Sequence, residues 1–138
     1  MIGSGKERIM IDPGDEKSLC KTFYENLGEY LSSTEEFKVN KILLTHAHKD
    51  HIGGLHDTIQ LLEQANRASS DLKAYKYLTG NKFEDAVFTK HPYLQSKIEN
   101  IEDREKFEIK EDEITLEAIY TPGHTDDHVS FAISKADV

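Results

Sequence analysis

Thr45-His46-Ala47-His48-Lys49-Asp50-His51-Ile52-Gly53-Gly54 follows directly on the apolar run Ile42-Leu43-Leu44 and sets three imidazoles and a carboxylate within six positions. Neutral imidazole is a borderline base that ligates metal, and carboxylate is a hard oxygen donor. Packing does not explain that density, and a purely solvated loop rarely concentrates these residue types at this spacing. His46 and His48 are two apart, so in an extended segment both side chains project to one side and can share an ion. Asp50 and His51 lie where the chain begins to turn, so one loop can serve two metals. The segment reads as a metal site.

The rest of the chain sets the limits around that site. At 138 residues, with 37% apolar and 9% aromatic content, it has the size and composition of one soluble globular domain. A net charge of −9 argues against nonspecific polyanion binding, which needs clustered cations, so any nucleic-acid partner must be held locally. The single cysteine, Cys20, cannot close an intrachain disulfide and reads as a small core residue, which fits an intracellular setting such as the cytoplasm or an organelle matrix. No apolar run approaches the roughly 20 residues of a membrane span. The opening Met1-Ile2-Gly3-Ser4-Gly5 has neither a signal-peptide core nor a transit-peptide pattern.

Hydrophobic periodicity predicts strands and helices in alternation. Arg8 to Asp12 reads as a strand stopped by Pro13-Gly14, and Leu19, Phe23, Leu27 and Leu31 recur every four residues on a helix. Val39 to Leu44 is a buried strand that delivers the chain into the histidine loop. Gly53-Gly54 opens a helix with Leu55, Ile59 and Leu62 on one face. Asp71 to Leu78 predicts a strand, and Phe83 to Ile101 an irregular, partly helical stretch. Strands follow at Glu113 to Tyr120, ending at Thr121-Pro122-Gly123-His124, and at His128 to Ser134. That alternation predicts parallel pairing, with ligands on loops at the carboxyl ends of the strands.

A third donor for the first metal must come from elsewhere in space, and His124 stands at a strand end in the same topological place as the first loop. Three neutral histidines, His46, His48 and His124, leave a tetrahedral zinc one open position for water, the catalytic arrangement. Asp50 and His51 would hold a second ion, with Asp50 the candidate for catalytic proton transfer. Asp12 either starts an Asx turn or orients a ligating imidazole. His128 is either a support to a ligand or an ordinary sheet residue. His56 and His91 read as surface or helix histidines, and Lys49 and the acidic stretch Glu99 to Glu113 as solvated surface.

Thr45 to Gly54 resembles the HxHxDH signature of metallo-β-lactamase-fold hydrolases, a highly specific motif. Asp12-Pro13-Gly14 is similar to that family's first motif and Thr121-Pro122-Gly123-His124-Thr125 to its third. Asp126-Asp127-His128 is most similar to the β-lactamase-like protein 2 branch of the glyoxalase II-like subgroup. The resemblance covers nearly the whole chain and implies an α+β, αββα sandwich, here an incomplete domain over residues 1–138 representing about its amino-terminal half. It implies a first zinc on His46, His48 and His124 and a second on Asp50 and His51. The activity implied for that branch is zinc-dependent endonucleolytic cleavage of single-stranded RNA, associated with mitochondria. A glyoxalase II-type hydrolase of small thioesters or esters is the enzymatic alternative, and a noncatalytic fragment or interaction module the nonenzymatic one. The family's bridging aspartate and last histidine have no counterpart, because Asp137 follows His128 too closely and lacks the Ser-Gly-Asp setting. Weak retention of the second metal and an exposed sheet face are therefore expected.

Overall fold

A computed structural model of the chain describes residues 1–79 and 85–136. Phe83 and Asp137 lie outside these residues. Four strands, β1 (Glu7–Ile11), β2 (Lys38–Leu43), β3 (Ala68–Lys76) and β4 (Ile98–Asn100), form one sheet in that order, every neighbouring pair parallel. Three more, β5 (Lys106–Ile109), β6 (Ile114–Tyr120) and β7 (Val129–Lys135), form an antiparallel sheet. The helices are α1 (Lys21–Leu31), α2 (Lys49–Ile52), α3 (Leu55–Gln64) and α4 (Ala86–Lys90), with a 3₁₀ segment at Pro92–Lys97.

Strand periodicity places the layers. Met10, Ile42, Leu44, Leu72 and Ala74 pack with Leu27, Leu31, Ile59 and Leu62 of the helices. The alternate residues Ile9 and Leu43 pack with Phe107, Ile109, Leu116, Ala118 and Val129 of the second sheet. The parallel sheet is thus covered on both faces, by helices on one side and by the antiparallel sheet on the other. This explains the unbroken apolar run Ile42-Leu43-Leu44, each residue of which is fully buried. Helix, sheet and sheet make three of the four layers of an αββα sandwich.

Four expectations need correction. Parallel pairing holds for the first sheet only, because β5, β6 and β7 follow one another without helical crossovers and can return directly on themselves. Leu19 lies ahead of the helix and is 60% exposed, and Phe23 is 38% exposed, so Tyr24, Leu27 and Leu31 form the buried stripe of α1. The stretch Glu99 to Glu113 is not plain solvated surface. Ile101, Phe107 and Ile109 are buried within it, the last two alternating with exposed Lys106 and Glu108 as a one-sided strand does. Cys20 is half-buried rather than a core residue, at the start of α1, with Sγ donating to the Asp15 carbonyl at 3.1 Å. Among the described residues no helix is long and apolar enough to cross a membrane.

Close packing explains the second glycine of the histidine loop. A Cβ at Gly54 would lie 2.2 Å from Tyr24 Oη and 2.4 Å from the Asp15 carbonyl oxygen, and the Gly54 amide donates to the Gly14 carbonyl at 2.8 Å. The Asp12–Asp15 turn and the metal loop are pressed together there. Gly28, inside α1, meets nothing within 4 Å. Gly54→Ala is therefore expected to cost about 1–3 kcal/mol through overpacking. Gly28→Ala is expected to stabilise by about 0.5–1 kcal/mol through helix propensity. Urea midpoints measured side by side check the opposite signs.

Candidate metal centre

The loop after β2 and the loop between β6 and β7 meet at one end of the two sheets. Nitrogen ligand atoms of His46, His48 and His124 lie within 4.8 Å of one another, and so do ligand atoms of Asp12, His46 and His51. His46 belongs to both triads and is buried, whereas His48 and His124 are exposed. The ring of His46 stands 4.7 Å from that of His48, 4.2 Å from His51, 5.0 Å from His124 and 4.9 Å from His128. His48 Nδ1 and His124 Nε2 face each other at 3.1 Å.

Hydrogen bonding fixes which nitrogens are available. Asp12 Oδ1 accepts from the Thr45 amide at 2.8 Å, and Oδ2 accepts from Thr45 Oγ1 at 2.6 Å. The single hydroxyl proton of Thr45 is thereby committed, so the 2.8 Å contact between Thr45 Oγ1 and His46 Nδ1 runs from the imidazole N–H to the hydroxyl oxygen. His51 Nδ1 likewise donates to Asp12 Oδ2 at 2.8 Å, since a carboxylate only accepts. Both rings therefore keep a lone pair on Nε2, and Asp12 orients both, one directly and one through Thr45. The orienting role of Asp12, rather than an Asx turn, is the one its bonds describe. Its backbone adopts φ 48°, a left-handed conformation rare for a non-glycine residue and concentrated at functional sites.

The Nε2 of His46 is buried without a hydrogen-bond partner among the described residues. Such an atom costs free energy unless something accepts its lone pair, and a cation bound by histidines does so. Burial, reinforced by the nearby His51, His48 and His128 and opposed by Asp12, holds His46 below the usual histidine pKa of 6.5. It is thus neutral and ligand-competent near neutral pH. The donor set fits a metal ion on chemistry and geometry alike.

Asp50 is exposed, with Oδ2 at 3.7 Å from His51 Nε2, so the two residues read as the second ligand pair lie side by side outside the first triad. His128 is half-buried, its Nδ1 3.0 Å from Thr121 Oγ1, which also lies 2.8 Å from Ser130 Oγ. His56 and His91 stack on each other at 3.6 Å, with His56 Nδ1 2.7 Å from Tyr93 Oη, and belong to neither triad. Two features escaped sequence reasoning. One is Thr45, whose hydroxyl at a strand end just ahead of a ligand histidine is a usable signal. The second is a buried ion pair, Lys76 Nζ to Asp127 Oδ2 at 2.7 Å. Burial raises the Asp127 carboxyl, but the hydrogen bond and the charge of Lys76 help outweigh it, and the group is held below the usual carboxylate value.

The sequence profile of the metallo-beta-lactamase superfamily matches residues 1–138, and the chain belongs to that superfamily, a hydrolase-type fold that binds metal ions. It is 30% identical over 135 residues to a beta-lactamase-like protein 2 homolog from Drosophila melanogaster, covering 98% of this chain and 42% of that protein. It is 28% identical over 137 residues to an atrochrysone carboxyl ACP thioesterase from Aspergillus fumigatus, covering 99% and 36%. The chain thus spans well under half the length of these curated relatives. A flavoprotein from Thermotoga maritima shares the fold at a TM-score of 0.68 and 18% identity, covering 96% of this chain and 29% of that one. A metallo-β-lactamase from Cronobacter sakazakii does so at 0.59 and 20% identity, covering 98% and 50%.

Two outcomes follow for the site. Asp12→Ala frees the rings of His46 and His51, and zinc affinity is expected to fall about 10–100-fold, read by competition with a chromophoric chelator. The unfolded chain takes up a proton at His46 near pH 6.5 more readily than the folded chain does, so metal-free protein loses stability as the pH falls below 6.5. Urea midpoints between pH 7.5 and 5.5 (experimental conditions, spanning roughly one unit either side of the histidine value) should fall less in His46→Asn than in wild type.

Proposed function

We propose that the chain is the metal-holding part of a zinc-dependent hydrolase that cleaves single-stranded RNA. The observation that carries the substrate class is a cleft of about 680 Å³ beside the metal loop, lined by Lys17, Lys21, Lys49 and Lys90 together with Glu16 and Asp57. Lys49 and Lys90 share Glu16, at 3.6 and 3.4 Å, while Lys17 and Lys21 form no ion pair among the described residues. A chain of net charge −9 thus gathers four cations at one place, which supplies the local hold that a polyanion needs. Lys49 lies next to His48 in the chain, is exposed and lines this cleft, where it would meet the phosphates of such a substrate.

Zinc held by His46, His48 and His124 would supply Lewis acidity and a water acidified toward neutrality. The protein's own residues divide the remaining work. Asp12 and Thr45 hold the His46 and His51 rings in the ligand tautomer. Asp50, accessible beside His51, would hold the second ion with it, and its carboxylate is the group placed to take up a proton. The lysines bind the phosphates flanking the scissile bond. The thioesterase among the relatives favours a second reading, hydrolysis of a small thioester at the same centre.

Incubation of the zinc-loaded chain with a single-stranded RNA oligonucleotide and with S-lactoylglutathione, with and without chelator, separates the two. Endonucleolytic RNA cleavage abolished by chelator and by His46→Ala is expected. Thioester turnover with intact RNA would establish the second reading, and zinc binding with neither activity would make this chain a noncatalytic module. Removing two phosphate contacts by Lys17→Ala/Lys21→Ala is expected to flatten the slope of log affinity against log salt by about 1.4, at roughly 0.7 per contact on a single strand.

A further inference from the structure

We infer that the buried ion pair between Lys76 and Asp127 is a latch that seats His124 against His46 and His48, and that these two are positioning residues for the metal centre. The inference rests on the metal-centre reading of those histidines. Lys76 is the last residue of β3 in the helix-backed sheet, and Asp127 lies three residues after His124 in the loop joining β6 to β7 of the other sheet. Their side chains are 3% and 7% exposed, and Lys76 Nζ also donates to the Tyr77 carbonyl at 3.3 Å.

His124 needs such a hold. It is exposed, it stands outside any strand, and apart from the contact between the two ligand rings, His124 Nε2 to His48 Nδ1 at 3.1 Å, three bonds of its loop stay within its own sheet: Tyr120 Oη to the Asp126 carbonyl at 2.6 Å, the Thr121 amide to the His128 carbonyl at 3.0 Å, and the Gly123 amide to the Thr125 carbonyl at 3.1 Å. Those bonds shape the loop without fixing where it sits over the first sheet. The amide of Val129 donates to the Thr45 carbonyl at 2.9 Å and ties the start of β7 to the histidine loop. Tyr77 and Tyr120 stack at 4.4 Å across the same seam. Of these ties between the sheets, Lys76–Asp127 is nearest to His124 along the chain, and it has one defined geometry where stacked rings can slide. Desolvating two charges rarely adds net stability over well-packed apolar residues of similar size, so a buried pair retained at this seam is better explained by geometry than by stability.

Stability and metal affinity should therefore separate. In Lys76→Met/Asp127→Leu the metal-free chain is expected to keep its urea midpoint near wild type while zinc affinity falls about 10–100-fold. In a His124→Ala background the same double substitution is expected to cause no further loss, because the pair acts through that ligand. Asp127→Asn, read the same way, should also lose affinity in wild type and not in His124→Ala. Equal losses in both backgrounds, unchanged zinc affinity, or failure of both variants to fold would each overturn the latch. Wild-type chain that takes up no zinc would instead overturn the metal-centre reading, and the latch with it.

Discussion

The carboxylate of Asp12 is the constraint on which the centre depends. It leaves the end of β1, crosses to the end of β2, and accepts from the amide and hydroxyl of Thr45 and from the ring of His51. One side chain thus ties two parallel strand ends together and sets the tautomer of two imidazoles. The left-handed backbone at Asp12 is tolerated because its surroundings over-determine it: both carboxylate oxygens are engaged, and the Asp12 amide donates to the Leu43 carbonyl at 2.9 Å. Gly54 completes the arrangement, since only a residue without Cβ lets the Pro13–Asp15 turn lie against the start of α3.

The remaining ligand comes from a different layer. His46, His48 and His51 stand on the parallel sheet, His124 on the antiparallel one, and the two sheets share a core of Ile9, Leu43, Phe107 and Leu116. Apolar packing brings the sheets face to face but is non-directional, so it does not by itself place one imidazole within coordination distance of another. Directional bonds at the seam do that, and they are concentrated at Thr45, Lys76 and Asp127.

The metal loop was legible because ligand chemistry needs particular residue types at short spacing, and Thr45 to Gly54 carries them without help from the rest of the chain. His124 was legible through its place after a strand. The fold class followed from the same motifs, and the first sheet from its apolar runs. What was hidden has physical reasons. Strand β5 carries charges on its outer face, so composition masked the buried Phe107 and Ile109. Helix α1 starts later than its apolar spacing suggests, which leaves Leu19 in the preceding turn. The Lys76–Asp127 pair joins residues far apart in the chain, and neither has a local pattern that distinguishes it from a solvated charge. The lysines of the cleft come from three helices and the turn before α1, so overall charge concealed them.

The two sheets also differ in how far apart along the chain their partners lie. Strands β5, β6 and β7 meet through neighbouring turns, with Ile109 opposite Ile114 and Tyr120 opposite Val129, whereas β1 must find β2 across the whole of α1. Short closures form early and long ones late. Each sheet can then gather its own histidines before the other is complete, and neither half coordinates fully alone. Assembly of the centre therefore requires the meander to dock on the parallel sheet, because only that contact brings its imidazole to the other three.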